Sequence, residues 1–121
     1  MRIFHIVDRG VWDSAVRSGQ YLPAGFGADG FVHFSFEQQV ARTANGLYRD
    51  EPDLVVVEVE SDEIPAELRV EDSYGAGEEF PHIYGPVPTS AAVTVHPLTR
   101  GANGDWVFSP DAGGAAASPD R

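Results

Sequence analysis

The chain has 121 residues, 42% of them hydrophobic, with no cysteine and a formal charge of −11 at pH 7. That length supports one domain with a real core and leaves no room for two, and the missing thiols exclude both a disulfide framework and a thiolate metal site. All eight basic residues are Arg, scattered along the chain, so lysine Schiff-base chemistry is excluded, and nucleic acid or anionic membrane is repelled rather than bound.

Arg2 to Val7, RIFHIV, reads as a strand with apolar side chains on both faces, hence a central one. No apolar leader or membrane-length run is evident, so a soluble, cytoplasmic protein is expected. Asp8-Arg9-Gly10 makes a turn. Val11, Trp12, Ala15 and Val16 then fall at helical spacing until Gly19 stops the pattern. Gln20 to Leu22 is a short strand candidate, and Pro23 to Gly30 a Gly-rich loop. Phe31 to Ser35 is the next strand. Ser35 with Gln38 spells a capping box for a helix carrying Phe36, Val40, Ala44 and Leu47 on one face.

Leu54 to Glu60 alternates cleanly, with Val55, Val57 and Val59 on one side and Glu58 and Glu60 on the other. Leu68 to Asp72 reads as a strand and Tyr74 to Glu79 as a loop. The prolines of FPHIYGPVP place that stretch on an edge or in an extended loop. Ala92 to Leu98 and Asp105 to Phe108 finish the sheet. Residues 1–108 form the domain, and the small, Pro/Gly-rich residues 109–121 read as a disordered tail. Two early helices amid six to eight strands make an α+β domain.

Three of the four histidines sit in apolar strand settings. Alternation places His5 with Ile3 and Val7, where a core imidazole satisfied by one carbonyl is the simplest account. His33 shares a face with Phe31 and Ser35, and burying that polar pair costs free energy unless both groups find partners. His82, between Pro81 and Ile83, suits a loop hydrogen bond or a ligand contact equally well. His96 alternates with Thr94 and reads as exposed on the outer face. A His metal site lacks ligand spacing such as HxH or HExxH, and no metal ligand is assigned. A Ser–His–acid triad from Ser35, His33 and Glu71 or Glu79 lacks the GxSxG elbow. Glu71 alternates with Arg69, while Glu78 and Glu79 read as solvated charge. Tyr21 and Tyr84 lie beside Gly/Pro breaks, where a ring can face a cleft.

The order FHIV, then W-x-x-A with G-x-Y over Trp12 to Tyr21, then GFVHFS, then FPHIYGP resembles the bacterial family known as domain of unknown function 952. The match runs from residue 2 to about residue 100. More distantly, FHIV followed by GFVHFS and a helix is similar to the tRNA 2′-phosphotransferase branch of ADP-ribosyltransferase-like folds. That resemblance implies two small sheets around a cleft for NAD, with His5 bonding a ribose, His33 beside the ligand and Ser35 matching the Ser that follows. A third position, often Glu, stabilises an oxocarbenium-like centre there. No Glu-x-Glu precedes a strand here, so Glu79 or His82 stands nearest.

The expectation is a cleft lined by His5, Tyr21, His33, Ser35, His82 and Tyr84. It would bind NAD or another nucleotide-like small molecule, with cleavage or transfer of ADP-ribose as its chemistry. One of Arg9, Arg17 or Arg42 would have to meet the pyrophosphate. A non-catalytic ligand-binding module on the same fold is the competing expectation, and a His-metal enzyme a third.

Overall fold

The computed structural model describes residues 1–110 and 115–116. Its fold turns on one short chain segment, residues 32–35, that belongs to two sheets at once. Val32 and His33 form strand β3, paired antiparallel with β6 (Phe80–Ile83), while Ser35 makes an isolated bridge to Phe4 of β1 (Arg2–Asp8). The larger sheet runs β1, β4 (Leu54–Glu60), β8 (Ala92–Pro97), β11 (Ala115–Ala116). The smaller runs β3, β6, β5 (Leu68–Glu71), and two-residue ladders join β2 (Gln20–Tyr21) to β7 (Val87–Pro88) and β9 (Thr99–Arg100) to β10 (Trp106–Val107).

Among the described residues, three α-helices complete an α+β domain: α1 (Arg9–Ser18), α2 (Phe26–Asp29) and α3 (Val40–Leu47). Asp8 starts α1 by accepting the Val11 N–H at 3.1 Å. Gly19 ends it in the left-handed region at φ 90°, where a side chain would be strained. Trp12 and Ala15 are buried, whereas Val11 and Val16 are exposed, so the apolar stripe of α1 is narrower than the sequence suggests.

The strand period distributes the core. Ile3 and Val7 with Val55, Val57 and Val59 face α1 and the smaller sheet; Phe4 and Ile6 with Leu54 and Val56 face α3, Leu98 and Trp106. β1 ends the larger sheet rather than sitting inside it. It reads as central because both faces are covered and its outer edge is capped by Ser35.

Several expectations are corrected. Pro23 to Gly30 includes a turn of helix. FPHI is the middle strand of the smaller sheet, because Pro81 enters through its carbonyl, which accepts the Phe34 N–H at 2.9 Å. Trp106–Val107 pairs with β9 instead of extending the larger sheet. The capping role shifts by one residue: Gln39, not Gln38, reaches back to the Phe36 N–H at 2.8 Å. A 3-10 turn, Glu37–Gln39, precedes α3, and Leu47 is 66% exposed. His96 is buried and bonded to Glu58 at 2.8 Å. Within the expected disordered tail, Ala115–Ala116 pairs with Val95 and Thr94 along the open edge of β8; residues 111–114 and 117–121 lie outside the described residues.

Candidate functional site

Alternation gives the smaller sheet one apolar and one polar face. Val32, Phe34 and Ile83 point into the core. The opposite face carries His33 and His82, which are register partners, together with Phe31, Glu71 and Tyr84. The Phe4–Ser35 bridge sets this face against β1, and His5 is the β1 residue that meets it.

His5 has a determined tautomer. Its Nδ1 lies 2.7 Å from the His33 carbonyl oxygen, which can only accept, so Nδ1 carries the proton. Nε2 is then the acceptor for the Tyr21 hydroxyl at 2.7 Å. Burial pushes the His5 pKa down to about 4, against a smaller upward pull from the His33 carbonyl, which keeps the ring neutral. Burial raises the pKa of Tyr21, so its oxygen keeps its proton and offers lone pairs only.

His33 Nδ1 lies 3.1 Å from His82 Nε2. His82 Nδ1 in turn lies 3.1 Å from Glu71 Oε2, with Ser73 Oγ at 3.4 Å. Tyr84 donates its hydroxyl to the same Glu71 oxygen. The Tyr84 bond leads the causes that hold the Glu71 carboxyl below its ordinary range, with His82 assisting. His82 is fully buried and stacks on Phe31 at 4.0 Å and 13°. Burial, then the proximity of His82 and His5, lowers the His33 pKa to about 4. His33 Nε2 is buried without a hydrogen-bond partner among the described residues.

A cleft of about 340 Å³ opens beside these groups, bordered by His5, Tyr21, Phe31, His33 and Tyr48. Asp8, Asp29 and Glu51 also line it, and among the described residues no Arg does. A second cleft, about 360 Å³ and largely apolar, shares His33 as a wall and is bordered by Leu47, Tyr74 and Phe80.

The structure brings His5, Tyr21, His33, His82 and Tyr84 together, but of the expected lining only His5, Tyr21 and His33 border the cleft; Ser35 and His82 are buried, and neither they nor Tyr84 line it. Ser35 is adjacent, and its backbone forms the inter-sheet bridge. Glu79 is not part of the group: its side chain is exposed, and its carbonyl accepts from Gln39 at 2.9 Å. Arg9 is ion-paired with Asp53 at 3.0 Å on the surface, away from the cleft. Arg42 borders the second cleft but is held by Glu78 at 2.5 Å. Arg17 is exposed and bonds Ser14 at 3.0 Å. The carboxylate beside His82 is Glu71, whose alternation with Arg69 is the signal that marks it. Asp29 approaches from the end of the one-turn helix α2, and Tyr48 and Glu51 from the segment after α3, none with a periodic signature. Among the described residues, no three His, Asp or Glu side chains are grouped to hold a metal ion, and no helix is long and apolar enough to cross a membrane.

The fold and site define an α+β domain with a cleft of about 340 Å³ bordered by His5, His33, Tyr21 and Tyr48. The chain belongs to the family described as Protein of unknown function (DUF952), which it matches over residues 6–95. It is similar to protein CC0527 from Caulobacter crescentus. Against the crystal structure of that protein the identity is 33% and the TM-score 0.78, covering 88% of this chain and 94% of the other. The solution NMR structure gives 34% identity and a TM-score of 0.75, covering 86% and 90%. No curated protein matches the chain.

Proposed function

We propose that this protein binds a small, neutral or cationic, hydroxyl-bearing molecule of ribonucleoside type in the cleft between His5, Tyr21 and His33. The carrying observation is the His5–Tyr21 pair, whose fixed protons leave a tyrosine oxygen as an acceptor beside a carboxylate-lined cavity. Hydroxyl donors match such a wall, and carboxylates favour a positive centre over an anion. The sharing of residues 32–35 between two sheets supports an ADP-ribosyltransferase-like reading, but with both His5 nitrogens engaged the group offered to a ribose is the Tyr21 oxygen that His5 holds, not His5 itself.

NAD itself is the second reading. Its nicotinamide riboside half carries the positive charge and hydroxyls that suit the cleft, and carboxylates at Asp29 and Glu51 would stabilise an oxocarbenium-like centre. Its pyrophosphate meets no Arg in the cleft lining, since Arg9 and Arg42 are engaged elsewhere. The riboside is therefore the better match.

Thermal unfolding with nicotinamide riboside and with NAD separates the readings. A ligand at 100 times its Kd adds about 2.7 kcal/mol, on the order of 10 °C in Tm for a domain of this size. The riboside is expected to give the larger shift. A larger NAD shift with release of nicotinamide favours ADP-ribosyl transfer, and no shift from either overturns the cleft assignment.

A further inference from the structure

We propose that Glu71, His82 and His33 form a proton relay that makes His33 Nε2 the proton acceptor of the site. The inference rests on the cleft beside His33 being the ligand site, and it adds an acid–base activity to that reading.

The direction of every bond follows from what each atom can do. Glu71 Oε2 accepts from Tyr84, so it also accepts from His82 Nδ1 and has no proton to give. A single ring proton on His82, placed at Nδ1 by Glu71, leaves Nε2 as a lone pair. The proton in the 3.1 Å contact between the two rings must then sit on His33 Nδ1. That leaves His33 Nε2 bare, and it is the relay nitrogen with no partner. A buried polar atom left unsatisfied is costly, so an uncompensated one in an otherwise well-bonded cluster points to use.

The step balances as one proton entering and one moving on. His33 borders the cleft, and a ligand group X–H that reaches its buried Nε2 gives it a proton and becomes X⁻. The His33 Nδ1 proton passes to His82 Nε2, so the positive charge comes to rest on His82 beside the Glu71 carboxylate and not on the desolvated His33 ring. The relay thereby offsets the burial that opposes charge on His33 itself. His82 and Glu71 are positioning residues in this scheme. Phe31 stacked on His82 and Tyr84 bonded to Glu71 fix their orientation.

The test is a long-range ¹H–¹⁵N spectrum of histidine-labelled protein at pH 7, which reports the proton on each ring nitrogen without any ligand. The expected pattern is His33 protonated at Nδ1 and bare at Nε2, with His82 the same; a proton on His33 Nε2 overturns the relay. His82→Phe preserves a ring against Phe31 but removes the acceptor, and His33 should then become a mixture of tautomers. Should that variant not fold, Glu71→Gln, at a side chain 28% exposed, serves instead. It should lower by one pH unit or more the point at which the pair titrates, and an unchanged titration overturns the relay. Saturating nicotinamide riboside should move the His33 Nε2 resonance. Saturation that leaves it unmoved overturns its role as acceptor while keeping the cleft reading. Failure of the riboside to bind, with the tautomer pattern intact, removes the ligand reading alone.

Discussion

Phe4 and Ser35 exchange backbone hydrogen bonds, 2.9 Å from the Phe4 N–H and 2.7 Å from the Ser35 N–H, and this single pair ties the two sheets together. One residue further along β1, His5 reaches the His33 carbonyl. The site is thus a consequence of the junction. Ser35→Pro removes the N–H and should cost roughly 3 kcal/mol or more, with loss of the His5–His33 bond. Ser35→Ala keeps the backbone pair and should cost clearly less than Ser35→Pro. Urea unfolding of both variants checks the contrast.

Tyr21→Phe leaves His5 Nε2 buried without its donor. The expected loss is about 1–3 kcal/mol of stability, larger than an exposed Tyr→Phe would give. Ribonucleoside affinity should fall with it, since the acceptor oxygen in the cleft is gone. Denaturant midpoints and a binding titration report the two effects separately.

Acid sensitivity should begin well above the carboxylate range. His5 and His33 have folded pKa values of about 4 against about 6.5 for free histidine. As pH falls below 6.5 the unfolded chain takes up protons that the native state refuses, so stability drops until the native rings protonate near pH 4. Each unit of depression is worth about 1.4 kcal/mol, giving on the order of 3 kcal/mol for the largely buried His5. Glu71 and Asp72, both held low, add their loss only in the lower carboxylate range. His5→Gln should flatten the slope between pH 6.5 and 4.5, which stability measurements across that window will read.

Gly85 is a packing constraint. A Cβ there would fall 2.7 Å from the Ala66 Cβ, closer than the loop between β6 and β7 and the segment before β5 can tolerate unmoved. Gly85→Ala should cost about 1–3 kcal/mol. Because Tyr84 precedes it, the Tyr84–Glu71 bond should loosen as well, visible as a changed tyrosine hydroxyl environment.

Much of this was legible in the sequence where a local period carried it. The alternation of Val55, Val57 and Val59 and the pairing of Trp12 with Ala15 follow from side-chain spacing, whereas the meeting of the imidazoles was implied by the family resemblance. What local spacing cannot express is register. Glu71 joins the site, and Glu79 does not, because β5 pairs with β6 so that Glu71 lies on the face of His82. Pro81 argued against a central strand because a proline's missing donor is visible in sequence while its useful carbonyl is not. His96 likewise looked exposed because its partner Glu58 lies on a neighbouring strand, 38 residues away.

The most direct test is a titration of ¹⁵N-labelled protein with nicotinamide riboside, followed by backbone and histidine-ring shifts. The account predicts saturable changes at Tyr21, Phe31 and His33, with Arg9 and Glu79 unaffected. Changes confined to Arg9, Glu79 or other surface positions, or none at millimolar ligand, would contradict it.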